Sequence, residues 1–531
     1  MGPHRFAQEG ANVVVADLDE ARGAETVVLV KTLGQEATFV RRNTSQEAEC
    51  EPLADAEGLW ESGIARALRL DPGLVGVAIA AIAAAVWFSR TAMVRWNNFW
   101  ATEYDLGILD QLVYNTAHGR WFESSTTSYN FFGQHMQPIL VVWAAAYRLF
   151  DAGPQFLIIS QAVAAAAAAP VLYLAMRRFG MGRGLSVVVA LTYLLNPYLH
   201  RALNYDFHPE ATLVLPAFGA AWAIAAKRYW LAGGLALSAI LFKEDAVFVT
   251  LALAAVLWWY GGRKQAYVTG GLALGWTFLV IVVIMPWIRG GSSSDLVERY
   301  GYLVGTSSQA EFLPWILVHP WVAVQYLVAP HRLWTMFLFV GVTAPLAVLR
   351  PKLLPFVLPG LAVAVLSMYG VQRELQLQYA VEVVPVAILI GALGALFAVR
   401  RISPAVVAMA IVAPAIVGYI QLSPLSPKID NGHGPSAEHR AALMGALAEI
   451  PNDPRVSVSA QSGLTPRVSQ RDHIYEFPRN ALESDWVITD KYGAVSGQSG
   501  GPADFDKAVQ DIHTQLEQVY DRDGVEVFRH P

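Results

Sequence analysis

Four short polar stretches interrupt a chain that is otherwise mostly Ala, Leu and Val, and each carries side chains able to do chemistry. The first is Glu103, Asp105, Asp110 and Gln111, followed by a polar run to His135. The second is Gln134-His135-Met136-Gln137-Pro138, which opens the next apolar segment. The third is Asn204-Tyr205-Asp206-Phe207-His208-Pro209-Glu210, a turn broken by proline. The fourth is Lys243-Glu244-Asp245, three charges inside what otherwise reads as one hydrophobic hairpin. Polar groups beside a membrane are costly to desolvate, so such clusters mark candidate functional sites. Carboxylates with imidazole are the donor set for a hard divalent cation, Mg2+ or Mn2+, with Asp105, His208 and Glu210 as ligands. An unpaired carboxylate, Asp105 with Glu103 as its partner, could instead act as general base toward an acceptor hydroxyl. Lys243 and Arg373 suit a phosphate, and His135, Glu244 and Asp245 complete a candidate substrate-binding set. On a helix, Asp105, Leu109 and Leu112 share one stripe while Asp110 points away, which predicts a surface role for Asp110. The plainer readings are a solvated loop for the first cluster, self-neutralising charge for the Lys-Glu-Asp triplet, and a helix cap for His208.

The elements that must position these groups are membrane helices. Of the 531 residues, 54% are hydrophobic and only 15% are charged, against about a quarter charged in a soluble domain. The apolar residues fall in runs near the roughly 20 residues that cross a bilayer. The first run is Leu74 to Val94, and the rest, ending at 402–421, bring the expected count to about 11–13. Arginine and lysine concentrate at 177–183, 227–228, 263–264, 350–352 and 400–401, the loops expected to be cytoplasmic. That places the four polar stretches and the C-terminal tail outside, with a cytoplasmic N-terminus. Segment 137–150 conflicts with this count unless it lies in the interface. A single cysteine, Cys50, rules out an intrachain disulfide. Scattered basic residues argue against a nucleic-acid partner.

Beyond Pro424 and Pro427 the pattern turns soluble: a helix over 437–450, strands over 456–459 and 485–490, and a hairpin of 518–520 with 525–528. The expected domains are therefore an N-terminal segment over 1–60, a membrane domain over 74–421 and a small α/β extracytoplasmic domain over 428–531. The N-terminal segment, "RFAQEGANVVVADLDEARG" followed by "GQEATFVRRNTSQEAE", resembles a fragment of a short-chain dehydrogenase. In that family an acid at the position of Asp17 would bond the cofactor ribose. The glycine-rich phosphate loop and a Tyr-x-x-x-Lys pair are absent, so NAD is not expected.

The stretches "YDLGILDQLVYNTAHGRW", "GQHMQPILVVWAAAYRLF", "NYDFHPE", "FKEDAVF" and "QYAVEVVP" resemble, in this order, the predicted membrane protein family called domain of unknown function 2079. Gln378 departs from that pattern, which has His before Tyr379. The resemblance implies a GT-C-type, all-α polytopic membrane fold. It also implies an acid in the first outer loop, the position of Asp105, working on a lipid-linked phosphate sugar. The expectation is a plasma-membrane glycosyltransferase that takes a polyprenyl-phosphate sugar to a cell-envelope acceptor. A flippase for the same lipid, or a non-catalytic envelope scaffold, is the alternative.

Overall fold

The computed structural model describes residues 13–17, 20–32, 37–41, 71–126, 129–292, 294–429, 432–493 and 502–531. Cys50, Asn43 and the residues before Asn12 lie outside them. The chain divides into two compact units at Pro72/Gly73. In the first, strand β1 (Val13–Asp17) pairs in parallel with β2 (Ala37–Arg41), and the helix Glu20–Thr32 connects them. A parallel pair needs such a crossover, so this is the expected strand-helix-strand fragment.

The second unit is mostly helical. Four of its described helices are long and apolar enough to cross a membrane: Pro72–Asn97, Pro154–Arg178, Arg263–Arg289 and Pro404–Leu422. Shorter apolar helices include Pro138–Phe150, Arg183–Leu194, Pro209–Ala225, Tyr229–Leu241 and Val384–Ala398. The expected runs are thus cut where proline or charge interrupts them, most visibly at Lys243, between Tyr229–Leu241 and Val247–Trp259. Helix Val384–Ala398 is buried along nearly its whole length and forms the axis of the bundle. A Cβ on Gly394 would lie 2.0 Å from the Leu346 carbonyl oxygen, so only glycine permits this approach. Alanines 162, 165, 166, 168 and 169 are buried along Pro154–Arg178, where small side chains let helices approach closely. Large apolar side chains face outward on several helices, among them Ile79, Ile82, Phe278, Trp287, Phe337 and Met409. Such a girdle suits lipid contact.

The basic loops gather at one end of the bundle. Tyr229 donates its hydroxyl proton to the Tyr260 carbonyl, Phe179 packs on Tyr260, and the Lys352 ammonium lies over Trp259. Helix Tyr229–Leu241 runs from that end to Lys243, where the polar turns collect.

The tail forms a five-stranded sheet of order β4-β3-β5-β7-β6, with β3 Val458–Ala460, β4 Ile474–Glu476, β5 Trp486–Asp490, β6 Glu517–Arg522 and β7 Val525–Arg529. β3 is parallel to β4 and β5, while β7 runs antiparallel to β5 and β6. Helix Ala437–Glu449 packs on it through Ala442, Leu443 and Ala446, with Ser436 as its N-cap. The expected helix and four strands are present, and β4 and the helix Pro502–Gln515 are additional to them.

Candidate functional site

After Pro72–Asn97 the chain makes a π-helical turn, Glu103–Gly107, and continues as the helix Ile108–Ala117. The tail holds this turn in place: the Glu103 N–H donates to the Ser462 carbonyl at 3.0 Å. Residues two apart on any helical turn face opposite sides. Glu103 and Asp105 therefore point into different surroundings.

Asp105 enters a closed network. Its Oδ1 lies 3.1 Å from His208 Nε2, and the Tyr205 ring stacks on His208 with centroids 5.7 Å apart. The neighbouring Asp206 accepts from Arg95 Nε at 3.3 Å and from the Thr102 N–H at 3.0 Å. Gln161, fully buried on Pro154–Arg178, accepts from the His208 N–H and donates to the Asp206 carbonyl. The Glu103–His135 loop and the Asn204–Glu210 turn thus lock together. Burial opposes the Asp105 charge, but His208 outweighs it through both charge and hydrogen bond, and the carboxyl lies below its ordinary value. Burial likewise opposes the His208 charge, and Asp105 more than offsets it, raising the imidazole above its ordinary value.

Glu210 turns elsewhere. Its Oε1 accepts from Gln137 Nε2 at 3.0 Å and lies 3.9 Å from Lys243 Nζ. Lys243 is caged: Asp245 and Glu382 each approach its ammonium to 3.6 Å. Burial works against the Lys243 charge, while Asp245, Glu382 and Glu210 hold it protonated above the usual lysine range. Glu210 Oε2, Asp245 Oδ1 and Gln137 Oε1 are buried with no hydrogen-bond partner among the described residues, as is Oε1 of Gln378. His135 Nδ1 lies 2.9 Å from Glu244 Oε1, and the Met136 N–H donates to the other carboxylate oxygen. Asp105, His208 and Glu210 therefore do not form one ligand set. Asp105 and His208 meet, Glu210 lies against an ammonium, and no group of three His, Cys, Asp or Glu suited to a metal occurs among the described residues.

Several cavities open at this end, and two large ones border the charged turns. The first, of about 390 Å3, is amphipathic. Its polar part carries His135, Lys243, Glu244, Asp245, Arg289, Asp295 and Arg299, and its apolar wall Ile281, Met285, Leu303, Phe312, Ile316 and Leu366. Arg299 donates to Gln372 Oε1 at 2.7 Å, lies 3.7 Å from Asp295, and has its guanidinium over Tyr369. Arg289 donates to the Gly133 carbonyl and to Gln309. Neither arginine carries a sequence signal beyond a single positive charge: Arg289 ends the helix Met285–Arg289 and Arg299 lies in the helix Asp295–Tyr300. Glu382 was equally hidden, although it is a lone acid in the apolar run 380–386. Arg373 does not line this cavity and donates to the nearby Met368 carbonyl.

The second cavity, of about 430 Å3, lies between the Glu103–His135 loop and the tail domain. Its walls include Glu103, Tyr104, Thr126, Tyr129, Gln134, Asp295, Glu298, Glu476 and Arg479. Gln134 and Asp295 line both cavities, so the two share a wall. Glu103 is only 3% exposed and faces this space, and no hydrogen bond to its carboxyl occurs among the described residues. Burial first, and then the Glu476 charge, push it up to about 8, with Arg479 opposing. Asp105 lines neither cavity.

Asp110 corrects a sequence expectation. It is fully buried and not a surface acid. The helix face that points away from Leu109 is covered by the tail, and Asp110 accepts from Tyr147 and Ser469 at 2.6 Å each and from Gln470 at 3.3 Å. Burial pushes its carboxyl up to about 6 against those hydrogen bonds.

A bundle of apolar helices with a lipid-facing girdle, carrying a small α/β domain over two cavities, defines a multi-pass membrane protein. Residues 95–527 match the family described as "Predicted membrane protein (DUF2079)", and the chain belongs to that family. Among solved structures it is similar to ArnT from Cupriavidus metallidurans in the apo state, at 13% identity and TM-score 0.44, covering 85% of this chain and 98% of that one. It is also similar to the oligosaccharyltransferase of Archaeoglobus fulgidus. The form tethered to an acceptor peptide gives 14% identity and TM-score 0.37, over 77% of this chain and 69% of that one. The complex with Zn and sulfate gives 12% identity and TM-score 0.39, over 84% of this chain and 73% of that one. A separate stretch of 44 residues is 43% identical to an uncharacterized oxidoreductase of Thermotoga maritima, and covers 8% of this chain and 18% of that protein.

Proposed function

We propose that this chain is a GT-C-like glycosyltransferase of the plasma membrane that moves a sugar from a polyprenyl-phosphate donor to a cell-envelope acceptor. The observation that carries the reading is the amphipathic cavity, whose apolar wall suits a hydrocarbon chain and whose polar part suits an anionic head group. Arg299 and Arg289 are the phosphate partners, since arginine presents a planar fork that fits phosphate oxygens. Lys243 and His135 belong to the same wall, but each already faces carboxylates. Glu244 and Asp245 fix those two cations. Arg373 has no part in the head-group contact.

In the transfer step the acceptor hydroxyl oxygen bonds to the anomeric carbon, and the bond from that carbon to the phosphate oxygen breaks. The lipid phosphate leaves with the electron pair, and the hydroxyl proton passes to a carboxylate. Glu103 is the base in this reading, because it faces open space beside the head-group cavity, and Asp105 positions the turn that carries it. The expected Mg2+ or Mn2+ set of Asp105, His208 and Glu210 does not converge, so these three residues do not hold one shared cation.

The N-terminus is assigned to the cytoplasm and the tail to the outer side. The gathering of the basic loops at one end supports this. At 1.5 Å per residue, Pro138–Phe150 spans about 20 Å, short of the roughly 30 Å hydrocarbon core. That supports an interfacial place for it.

The test is binding of undecaprenyl phosphate to the full chain in nanodiscs, read by native mass spectrometry. Arg299→Gln is expected to weaken it about 10- to 100-fold, as loss of a charge-assisted hydrogen bond implies. Equal retention of the lipid by wild type and Arg299→Gln would remove the donor assignment.

A further inference from the structure

The polar cavity between the Glu103–His135 loop and the tail domain has no assigned occupant, and it is a built site. Its walls come from four separate parts of the chain: Glu103 and Tyr104 from the π-helical turn, Thr126, Tyr129 and Gln134 from the polar run after it, Asp295 and Glu298 from the helix Asp295–Tyr300, and Glu476 and Arg479 from the tail. Arg479 donates to the Ser125 and Thr126 carbonyls, and Ser125 donates to the Ile474 carbonyl at 2.7 Å, so the tail is tied to the loop along the rim. Inside are two polar groups without partners among the described residues. One is the Glu103 carboxyl, on a residue 3% exposed; the other is Oε1 of Glu476, buried and facing no donor. Buried polar atoms are almost always hydrogen-bonded, and each exception calls for an account. Here a ligand hydroxyl supplies it.

We propose that this cavity is the acceptor site, and that it takes a polyhydroxylated, sugar-class acceptor whose hydroxyl groups satisfy Glu103 and Glu476. Three features favour a sugar over an amine or a lipid. The walls mix proton donors and acceptors, with Tyr104 and Tyr129 offering ring faces as well as phenols. The lining carries four carboxylates, Glu103, Asp295, Glu298 and Glu476, against one cation, Arg479, but Asp295 also faces Arg299 and His135, and burial pushes Glu103 up to about 8, which favours its uncharged form near neutral pH. Apolar wall is scarce: among the named lining residues, Ile108 and Pro478 supply it, unlike the first cavity. The volume, about 430 Å3, falls within the 300–1,000 Å3 range of small-molecule sites. The shared wall at Gln134 and Asp295 brings an acceptor there beside a donor head group, and Glu103 lines the acceptor side. This assignment builds on the transfer reaction proposed above.

The experiment is saturation-transfer NMR of methyl α-mannopyranoside and methyl β-glucopyranoside on the full chain in nanodiscs, with 1,4-diaminobutane as a cationic probe. Undecaprenyl phosphate retention is measured on the same samples. The expected result is glycoside transfer on wild type, reduced at least fivefold in Glu476→Gln and in Tyr104→Ala, with lipid retention unchanged in both. Unchanged lipid retention also shows that the variants are folded. Absent glycoside signal on wild type, equal signal in both variants, or binding of the diamine alone would overturn the proposal. Glycoside binding on a wild type that retains no lipid phosphate would keep the sugar site and overturn the transfer reaction.

Discussion

Asp105 and Glu103 lie two residues apart on one turn, yet their surroundings differ in nearly every respect. Asp105 has a cationic partner at 3.1 Å, a stacked tyrosine behind that partner, and no cavity in front of it. Its charge is held by protein. Glu103 has no hydrogen-bond partner for its carboxyl among the described residues, a second carboxylate nearby, and a cavity before it. Its charge is held off by burial and repulsion. The first arrangement fixes the loop, and the second leaves a group with something still to bind. Burial alone therefore does not mark a reactive acid, because the Asp105 side chain, 13% exposed, is also largely covered. What separates them is whether the protein has already satisfied the charge.

The comparison can be broken on its electrostatics. A base must be ionised to act, and Glu103 is pushed up to about 8. The transfer rate should therefore climb with pH and level off above about 8, being about a hundredfold lower at pH 6 than on the plateau. A profile flat from pH 6 to 9 would assign the proton to another group. A smaller effect is expected on the other side of the turn. Asp105→Asn should reduce transfer by about tenfold through a loosened loop. It should also lower unfolding stability by about 1.5–3 kcal/mol, the worth of a hydrogen bond to a charged group.

That stability has a predictable window. The Asp105 carboxyl is depressed, so its contribution is present above its unfolded value of 3.8 and is lost as pH falls through the lower folded value. The His208 imidazole is raised, so its contribution is full below 6.5 and is lost as pH rises through the higher folded value. The difference in thermal stability between wild type and Asp105→Asn should be greatest between those two pH values. A constant difference from pH 3 to 9 would contradict the ion pair. The smallest effect should come from Arg373→Ala, which leaves lipid-phosphate binding within about twofold, since its guanidinium is engaged with the Met368 carbonyl. A tenfold loss there would return Arg373 to the head-group site.

Much of the architecture was legible in the sequence. Apolar runs and basic loops predicted the membrane bundle, and alternation with turn residues predicted the tail hairpin. The pairing of first loop and Asn204–Glu210 turn was visible only as two polar islands assigned to the same side. The 3.1 Å contact needed the buried Gln161 that staples the turn, and nothing in an Ala-rich helix announces such a role. The sequence reading pairs Glu103 with Asp105, whereas the structure turns them into different surroundings. Sequence could not say which faced the open side, because residues about 370 positions later, Glu476 and Arg479, build the cavity. Asp110 was misjudged for the same reason: the covering Ser469 and Gln470 lie on the tail. Arg289 and Arg299 carried no local signal beyond single positive charges.

The central claim is that the acid facing the second cavity, Glu103, takes the acceptor proton. Its most direct test is single-turnover transfer from a radiolabelled polyprenyl-phosphate sugar by wild type and Glu103→Gln, with donor binding measured alongside. Glu103→Gln is expected to lose about 10^2- to 10^4-fold in rate, the usual contribution of a general base, while retaining donor as wild type does. Transfer by Glu103→Gln at the wild-type rate would contradict it.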